Sequence, residues 1–365
     1  MTRALLAVVL ILGHFPAAAA TKRRAVQHPA PPVTPAAIVS AARQAAEGAL
    51  AAGVPAVQIA VSHRGRVIYS EAFGVTDKVT STAATPRSVM QIASITKPFV
   101  AAAILRLADR GALSLDDPIE KHVPEFKPRA VTITLRHLLT HTSGLNTPLP
   151  DVYSPYTRAQ YMAAVNAQPL QFTPGSKWVY SNGAYKMLGF VIESISGMTL
   201  ADYIHTEIAL PLGLIDTGVC GTYGLPVPDG YAMQEGTMKR TPAVDMSVAF
   251  AAGALCSTAS DLSRWSYLLA TGRVMLAASY ATMITPATLS DNSVTSYGLG
   301  VTLEKMLGQP TVSHTGASPG FQSSLIYFSN QEIAVAVIIN AMPPPPGVGA
   351  HIIALSVAGA ALGAL

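Results

Sequence analysis

Ile92-Ala93-Ser94-Ile95-Thr96-Lys97-Pro98-Phe99 is the stretch on which the reading of this chain turns. It has the pattern S-x-x-K at the mouth of an apolar run, Val100 to Ala108, broken only by Arg106. Such a run predicts a helix buried on most sides. Asp109-Arg110-Gly111 closes it, with Gly111 suited to a left-handed residue after the helix. Pro98 has no N–H and fits only if the helix begins near Ser94. Lys97 then lies one turn on, on the same face as Ser94. A serine hydroxyl becomes a nucleophile when a nearby base takes its proton. A lysine in a desolvated pocket has a lowered pKa and can be that base. Taken alone, the pattern equally describes a serine helix cap followed by a solvated lysine, so the decision rests on what else the chain carries.

The chain has 365 residues, of which 50% are hydrophobic and 12% charged. That supports a large core in one domain or two closely joined ones and excludes a disordered chain. The formal charge is +4. Arg3, Lys22, Arg23 and Arg24 account for it, since the remaining 20 basic residues match the 20 acidic ones. The body is neutral, so the charge gives no reason to expect a nucleic-acid partner. Residues 1–20 read as a signal peptide: Arg3, an apolar segment Ala4 to Phe15, and an alanine run ending at Ala20. The segment is short for a membrane span. The expectation is an exported protein, periplasmic or secreted, with no stable membrane span after cleavage. Residues 21–35, with Pro29, Pro31, Pro32 and Pro35, read as a linker. Cys220 and Cys256 either pair or remain as two buried thiols.

Thr34 to Ala52 has helical spacing. Val57 to Ser62 and Arg66 to Ala72, separated by His63-Arg64-Gly65, predict a β-hairpin that ends at Phe73-Gly74. Helices are expected at Thr134 to Thr140, Ala184 to Ser196, Leu200 to Leu210 and Ser260 to Ala270. Strands are expected at Tyr297 to Glu304, Thr311 to His314, Ser323 to Phe328 and Ile333 to Asn340. An alanine-rich core helix covers Val348 to Leu365. The predicted fold class is α+β: an antiparallel sheet built from both chain ends and flanked by helices, with an inserted mostly helical region. Residues 36–365 form the domain, its α/β part 36–93 and 290–365 and its helical insertion about 112–289.

Two further stretches can join Ser94. Tyr180-Ser181-Asn182 precedes a helix and can present a phenol and an amide in one direction. The phenol can exchange protons with a lysine, and the Asn182 amide can donate to a substrate carbonyl. His314-Thr315-Gly316-Ala317 ends a strand. Gly316 would let a substrate approach the backbone closely. The backbone N–H groups of Ser94 and Ala317 could form an oxyanion hole.

Together, Ser94-x-x-Lys97, Tyr180-Ser181-Asn182 and His314-Thr315-Gly316 resemble the three motifs of the penicillin-recognising serine hydrolases. That superfamily includes class C β-lactamases, DD-peptidases and β-lactamase-like esterases. The likeness runs from about Val54 to Asn340. It also takes in Leu138 to Leu145, Ser257 to Leu262 and Tyr297 to Gly300. The resemblance implies that Ser94 is acylated, that Lys97 and Tyr180 share proton transfer, and that Asn182 and Thr315 position the substrate. No cofactor is implied. His314 stands where typical class C β-lactamases carry lysine, which removes a cation useful for a substrate carboxylate. Between Tyr297 and His314 the one basic residue is Lys305. The resemblance therefore favours a small-molecule or peptide ester/amide substrate for an esterase or peptidase. A true β-lactamase or D-alanyl-D-alanine carboxypeptidase is the alternative, and a receptor that acylates without turnover is another. The loops Asn146 to Thr173 and Gly221 to Val244 are expected to line the cleft. His137 and His141, four apart, lack the glutamate of a zinc-peptidase motif, so no metal is assigned and His141 is read as bracing a loop.

Overall fold

The computed structural model describes residues 34–147 and 151–365. The expected signal peptide 1–20 and most of the 21–35 linker lie outside the described residues. The strands are, in chain order, β1 (Ala56–His63), β2 (Arg66–Asp77), β3 (Thr82–Ala83), β4 (Met90–Gln91), β5 (Gly218–Val219) and β6 (Gly230–Gln234), followed by β7 (Thr237–Thr241), β8 (Leu255–Ser257), β9 (Thr302–Met306), β10 (Gln309–Ser318), β11 (Phe321–Phe328) and β12 (Ile333–Ile339).

Seven strands form one sheet in the order β3-β2-β1-β12-β11-β10-β9. Strand β1 pairs antiparallel with β12, Val57 opposite Ile339 and His63 opposite Ile333. The two ends of the domain thus meet at the sheet centre, and the α+β class read from the sequence is the class observed. Side chains alternate across a strand. Val57, Ile59, Val61, Val335 and Val337 therefore point to one face, where the helices Ala36–Ala51 and Ala350–Ala364 cover them. Ala60, Ala336 and Ile338 point to the other, toward the inserted region. Among the described residues no single helix is long and apolar enough to cross a membrane.

The helix Thr96–Asp109 is the centre of that second core. Phe99 to Leu105 are all buried, and the Phe99 ring stacks on Trp265 at 3.9 Å between centroids. Burying side chains of this size contributes about 1.5–3 kcal/mol each. A short 3₁₀ turn, Ala93–Ile95, leads into the helix and carries Ser94, with Ala93 at a φ of 47°. Gly111 has a φ of 72°, as the helix ending required.

Several sequence expectations need correction. Strand β2 does not end at Gly74 but continues to Asp77. Gly74 has a φ of 79°, and a Cβ there would stand 2.1 Å from Pro55 O. The glycine bends the strand around Pro55, and the Val75 N–H then donates to the same carbonyl at 2.8 Å. The expected strand Tyr297 to Glu304 begins only at Thr302, because 297–301 form a turn closed by the Gly298 N–H on Val301 O. The helix Leu200 to Leu210 changes after Tyr203 into a wider π-helical turn, Ile204–Ala209. The segment read as helical insertion also holds β5 and β8, which pair with β4 from outside it in a three-stranded sheet, β4-β8-β5, and a hairpin of β6 and β7. Within the stretch Asn146 to Thr173 lies a helix, Arg158–Ala167, started by a Thr157/Gln160 capping box. Cys220 and Cys256 are joined in a disulfide, with Cα atoms 5.1 Å apart, which ties the end of β5 to β8.

Strand β10 lies directly on the chain that delivers Ser94. A Cβ on Gly316 would meet Ile92 O at 2.2 Å and Ser323 Oγ at 2.3 Å. Ser323 Oγ also donates to Ile92 O, at 2.7 Å. The space beside Gly316 is therefore filled by the serine turn itself. Gly316→Ala is expected to destabilise the fold by about 1–3 kcal/mol, the range for overpacking a tight contact, read as a lower urea midpoint at unchanged slope. An unchanged midpoint would show that strand and turn are not in rigid contact.

Candidate active site

Lys97 is fully buried. Its Nζ lies 2.8 Å from Asn182 Oδ1, 2.9 Å from Ala252 O and 3.1 Å from Ser94 Oγ. Burial holds its pKa well below the usual lysine range, and the nearby Lys186 charge acts in the same direction. Lys186 is itself pushed down to about 8 by burial. A neutral amine has two N–H donors and one lone pair. Asn182 Oδ1 and Ala252 O can only accept. With the amine in its neutral form those two oxygens take both donors, and the lone pair is left for the Ser94 hydroxyl. The lowered pKa and the 3.1 Å separation suit the side chain to exchange a proton with Ser94.

Tyr180 lies against the same group, its ring centroid 4.7 Å from Lys97 Nζ. Burial of the phenol pushes its pKa up to about 12, against the pull of its hydrogen bond with Ser94. Near pH 7 it is therefore a phenol, able to donate a proton and to pass one on, with Lys97 as the resting base. Asn182 is the first residue of the helix Asn182–Ser196, which Ser181 caps by accepting from the Ala184 N–H at 3.1 Å. Asn182 Nδ2 makes no protein hydrogen bond among the described residues, so its donors remain for a ligand.

His141 supports this arrangement from below. Its φ is 59°, its Nδ1 accepts from the Ser181 N–H at 3.1 Å, and its carbonyl accepts from the Val179 N–H at 3.0 Å. Its ring sits 4.3 Å from that of Tyr180 and 4.9 Å from that of Tyr297. The bracing role fits these contacts. His137 closes the cap of its own helix, its Nδ1 accepting from the Thr134 N–H at 3.2 Å.

His314 is 5% exposed. Its Nδ1 lies 2.6 Å from Thr315 O and its Nε2 3.0 Å from Tyr297 Oη. A carbonyl only accepts, so Nδ1 carries the proton and Nε2 accepts from the tyrosine. Burial, the larger cause, lowers the pKa of His314 to about 3, and a positive charge on Lys97 would act in the same direction. The residue in the place of a lysine is a neutral ring near pH 7.

These side chains share one cleft of about 450 Å³. Ser94, Tyr180, Asn182, His314, Thr315 and Ala317 line it. Trp178, Ser296, Tyr297, Thr302 and Glu304 complete its wall. The loop Gly221 to Val244, expected there, contributes nothing to this wall. Its hairpin docks on the sheet end instead, with the Tyr231 N–H donating to Asn340 O at 3.1 Å. The stretch Asn146 to Thr173 lines a smaller neighbouring cleft of about 210 Å³ with Asn146, Thr147, Gln171 and Phe172. Tyr180 and Asn182 border both. Sequence reasoning had no means of finding Ala252, whose contribution is a backbone carbonyl. Tyr185 was findable: it follows Asn182 by one helical turn, and its hydroxyl donates to Leu139 O at 2.8 Å.

The profile of the family described as Beta-lactamase matches residues 41–359. The chain belongs to that family. A penicillin-binding protein of Bacillus subtilis (strain 168) is 29% identical over 303 residues, 73% of this chain and 66% of its own. Esterase EstB of Burkholderia gladioli is 36% identical over 201 residues, 48% of this chain. The match spans about half of that esterase, 51% of its length. Among solved structures, the D-amino acid amidase from Ochrobactrum anthropi SV3, complexed with L-phenylalanine, superposes with a TM-score of 0.77 at 26% identity, covering 89% of this chain and 98% of that one. The octameric penicillin-binding protein homologue from Pyrococcus abyssi gives the same TM-score at 26% identity, covering 89% and 77%.

The buried neutral state of His314 has a measurable consequence. The unfolded chain binds a proton below pH 6.5, while the folded chain does so only near pH 3. Between those values the unfolded state holds the extra proton, so this contribution to stability is lost as pH falls. His314→Gln, which keeps an acceptor for Tyr297, should flatten the stability–pH slope in that window by about 1.4 kcal/mol per pH unit. Identical slopes in urea unfolding series would show that His314 is protonated in the folded protein.

Proposed function

We propose that this protein is a serine hydrolase that cleaves esters or amides through an acyl-enzyme on Ser94. The observation that carries the reading is the buried Lys97 amine, 3.1 Å from Ser94 Oγ and held there by Asn182 Oδ1 and Ala252 O. Ser94 transfers its proton to Lys97 as Oγ attacks the substrate carbonyl carbon. The backbone N–H groups of Ser94 and Ala317 are assigned to the oxyanion, and the Asn182 amide to a substrate carbonyl. The Lys97 proton then passes by way of Tyr180 to the leaving group. In the second half a water attacks the Ser94 ester, Tyr180 relays the water's proton to Lys97, and the serine hydroxyl is restored.

The relatives include an esterase and penicillin-binding proteins, and the structural neighbours an amidase. The neutral His314 selects among these substrate classes. It offers no charge to a β-lactam carboxylate or to a peptide C-terminus. Thr315 lines that wall, whereas Gly316, expected to let a substrate approach the backbone, is buried against the serine turn instead. Short-chain esters are thus preferred to β-lactams and to D-alanyl-D-alanine peptides. Export is part of the proposal, on the character of residues 1–20.

Ser94→Ala should abolish turnover of nitrophenyl butyrate, and Lys97→Ala and Tyr180→Phe should each lower kcat about 10²-fold or more. The wild-type protein should hydrolyse that ester measurably, nitrocefin weakly, and a diacyl-D-Ala-D-Ala peptide least. Turnover retained by pure Ser94→Ala would remove Ser94 from the chemistry. A nitrocefin kcat/KM above about 10⁶ M⁻¹s⁻¹, high in the enzyme range, would mark a true β-lactamase.

A further inference from the structure

Glu304 has no part in the chemistry above, yet it opens into the cleft that holds Ser94. It lies on β9, where Thr302 and Glu304 share a face and Lys305 points to the other. The strand is held there by its pairing with β10, Glu304 opposite Thr311, and by the Thr311 Oγ1 donating to Glu304 O at 3.0 Å. The Glu304 carboxylate makes no hydrogen bond or ion pair among the described residues. Of the residues lining the cleft it is the one with a formal charge near pH 7, because His314 is neutral. His351 is near enough to feel its field, but burial lowers the pKa of that ring as well.

Two aromatic rings share the wall with the carboxylate. Trp178 is 39% exposed, and its ring lies 5.7 Å from that of Tyr297. A carboxylate and an exposed indole lining one cleft can each attract a cation, by charge and by the ring quadrupole. The carboxylate repels an anionic group. The cleft therefore does more than lack a cation for an anionic substrate; it presents the opposite charge.

We infer that Glu304 is a specificity-determining residue that holds a positively charged group of the substrate, an ammonium borne by an ester or amide, in the cleft beside Ser94. This rests on the serine hydrolase reading.

The test uses two matched substrate pairs. Butyrylthiocholine against its uncharged isostere 3,3-dimethylbutyl thiobutyrate places the ammonium on the leaving group. Phenylalanine p-nitroanilide against 3-phenylpropionyl p-nitroanilide places it on the acyl group. The wild type should prefer the cationic member of at least one pair by about tenfold in kcat/KM at low salt, with the preference shrinking as ionic strength rises. Glu304→Gln should reduce that preference to within about twofold, through a loss in kcat/KM on the cationic member larger than any on the neutral one. Glu304→Lys should invert it. Neutral members turned over with no cationic preference, or a preference that survives Glu304→Gln, would overturn the assignment and leave the hydrolase standing. Equal losses on both members in Glu304→Gln would make Glu304 structural and overturn it too. No turnover of any of the four by the wild type would overturn the hydrolase reading itself, and the assignment with it.

Discussion

The rest of the structure depends on a lysine amine placed where water cannot reach it. An ammonium buried without a counter-ion is costly, and the interior answers by releasing its proton. The two oxygens beside Lys97 Nζ are an amide and a backbone carbonyl, and neither carries charge. A carboxylate in either place would restore the ammonium and remove the base. The surrounding elements keep that pocket dry and fixed. The apolar helix 96–109 fills the space behind it, the Leu255 N–H donates to Thr96 Oγ1 at 3.1 Å, and Gly316 lets β10 close over the serine turn.

The same economy of charge extends to the cleft. His314 and His141 lie against the Lys97 pocket, and each is driven toward neutrality by burial. Tyr180 is kept as a phenol. On the proposed mechanism the reacting groups hold their protons in one pattern near pH 7: hydroxyl on Ser94, hydroxyl on Tyr180, lone pair on Lys97. Formal charge enters only at the wall, on Glu304. On the proposed reading, reactivity and substrate preference are set by separate residues, so one can change without the other.

Much of this was legible in the sequence where a side chain or a period carried the signal. Pro98 located the helix start, and the alternating strands at 57–62 and 333–340 announced a sheet built from both chain ends. Ser94, Tyr180, Asn182 and His314 do line one cleft, with Lys97 buried behind Ser94. The disulfide could not be decided from two cysteines, because pairing depends on β5 and β8 being neighbours. Those strands are too short to show alternation. Ala252 acts through its backbone and leaves no trace in residue type. The cleft wall was misassigned to 221–244 because loop composition does not say which way a loop folds. The wall is instead the turn after Tyr297 and the start of β9, where Glu304 was read as no more than the end of a strand.

The central claim is that Lys97 rests as a neutral amine. Titration of ¹³C-labelled lysine side chains by NMR, with the Lys97 signal assigned through Lys97→Arg, tests it directly. The account predicts one lysine resonance already in the neutral-amine position at pH 7, absent from Lys97→Arg and titrating far below the ordinary 10.5. A Lys97 signal that stays in the ammonium position up to about pH 10 would contradict it, and Ser94 would then need another base.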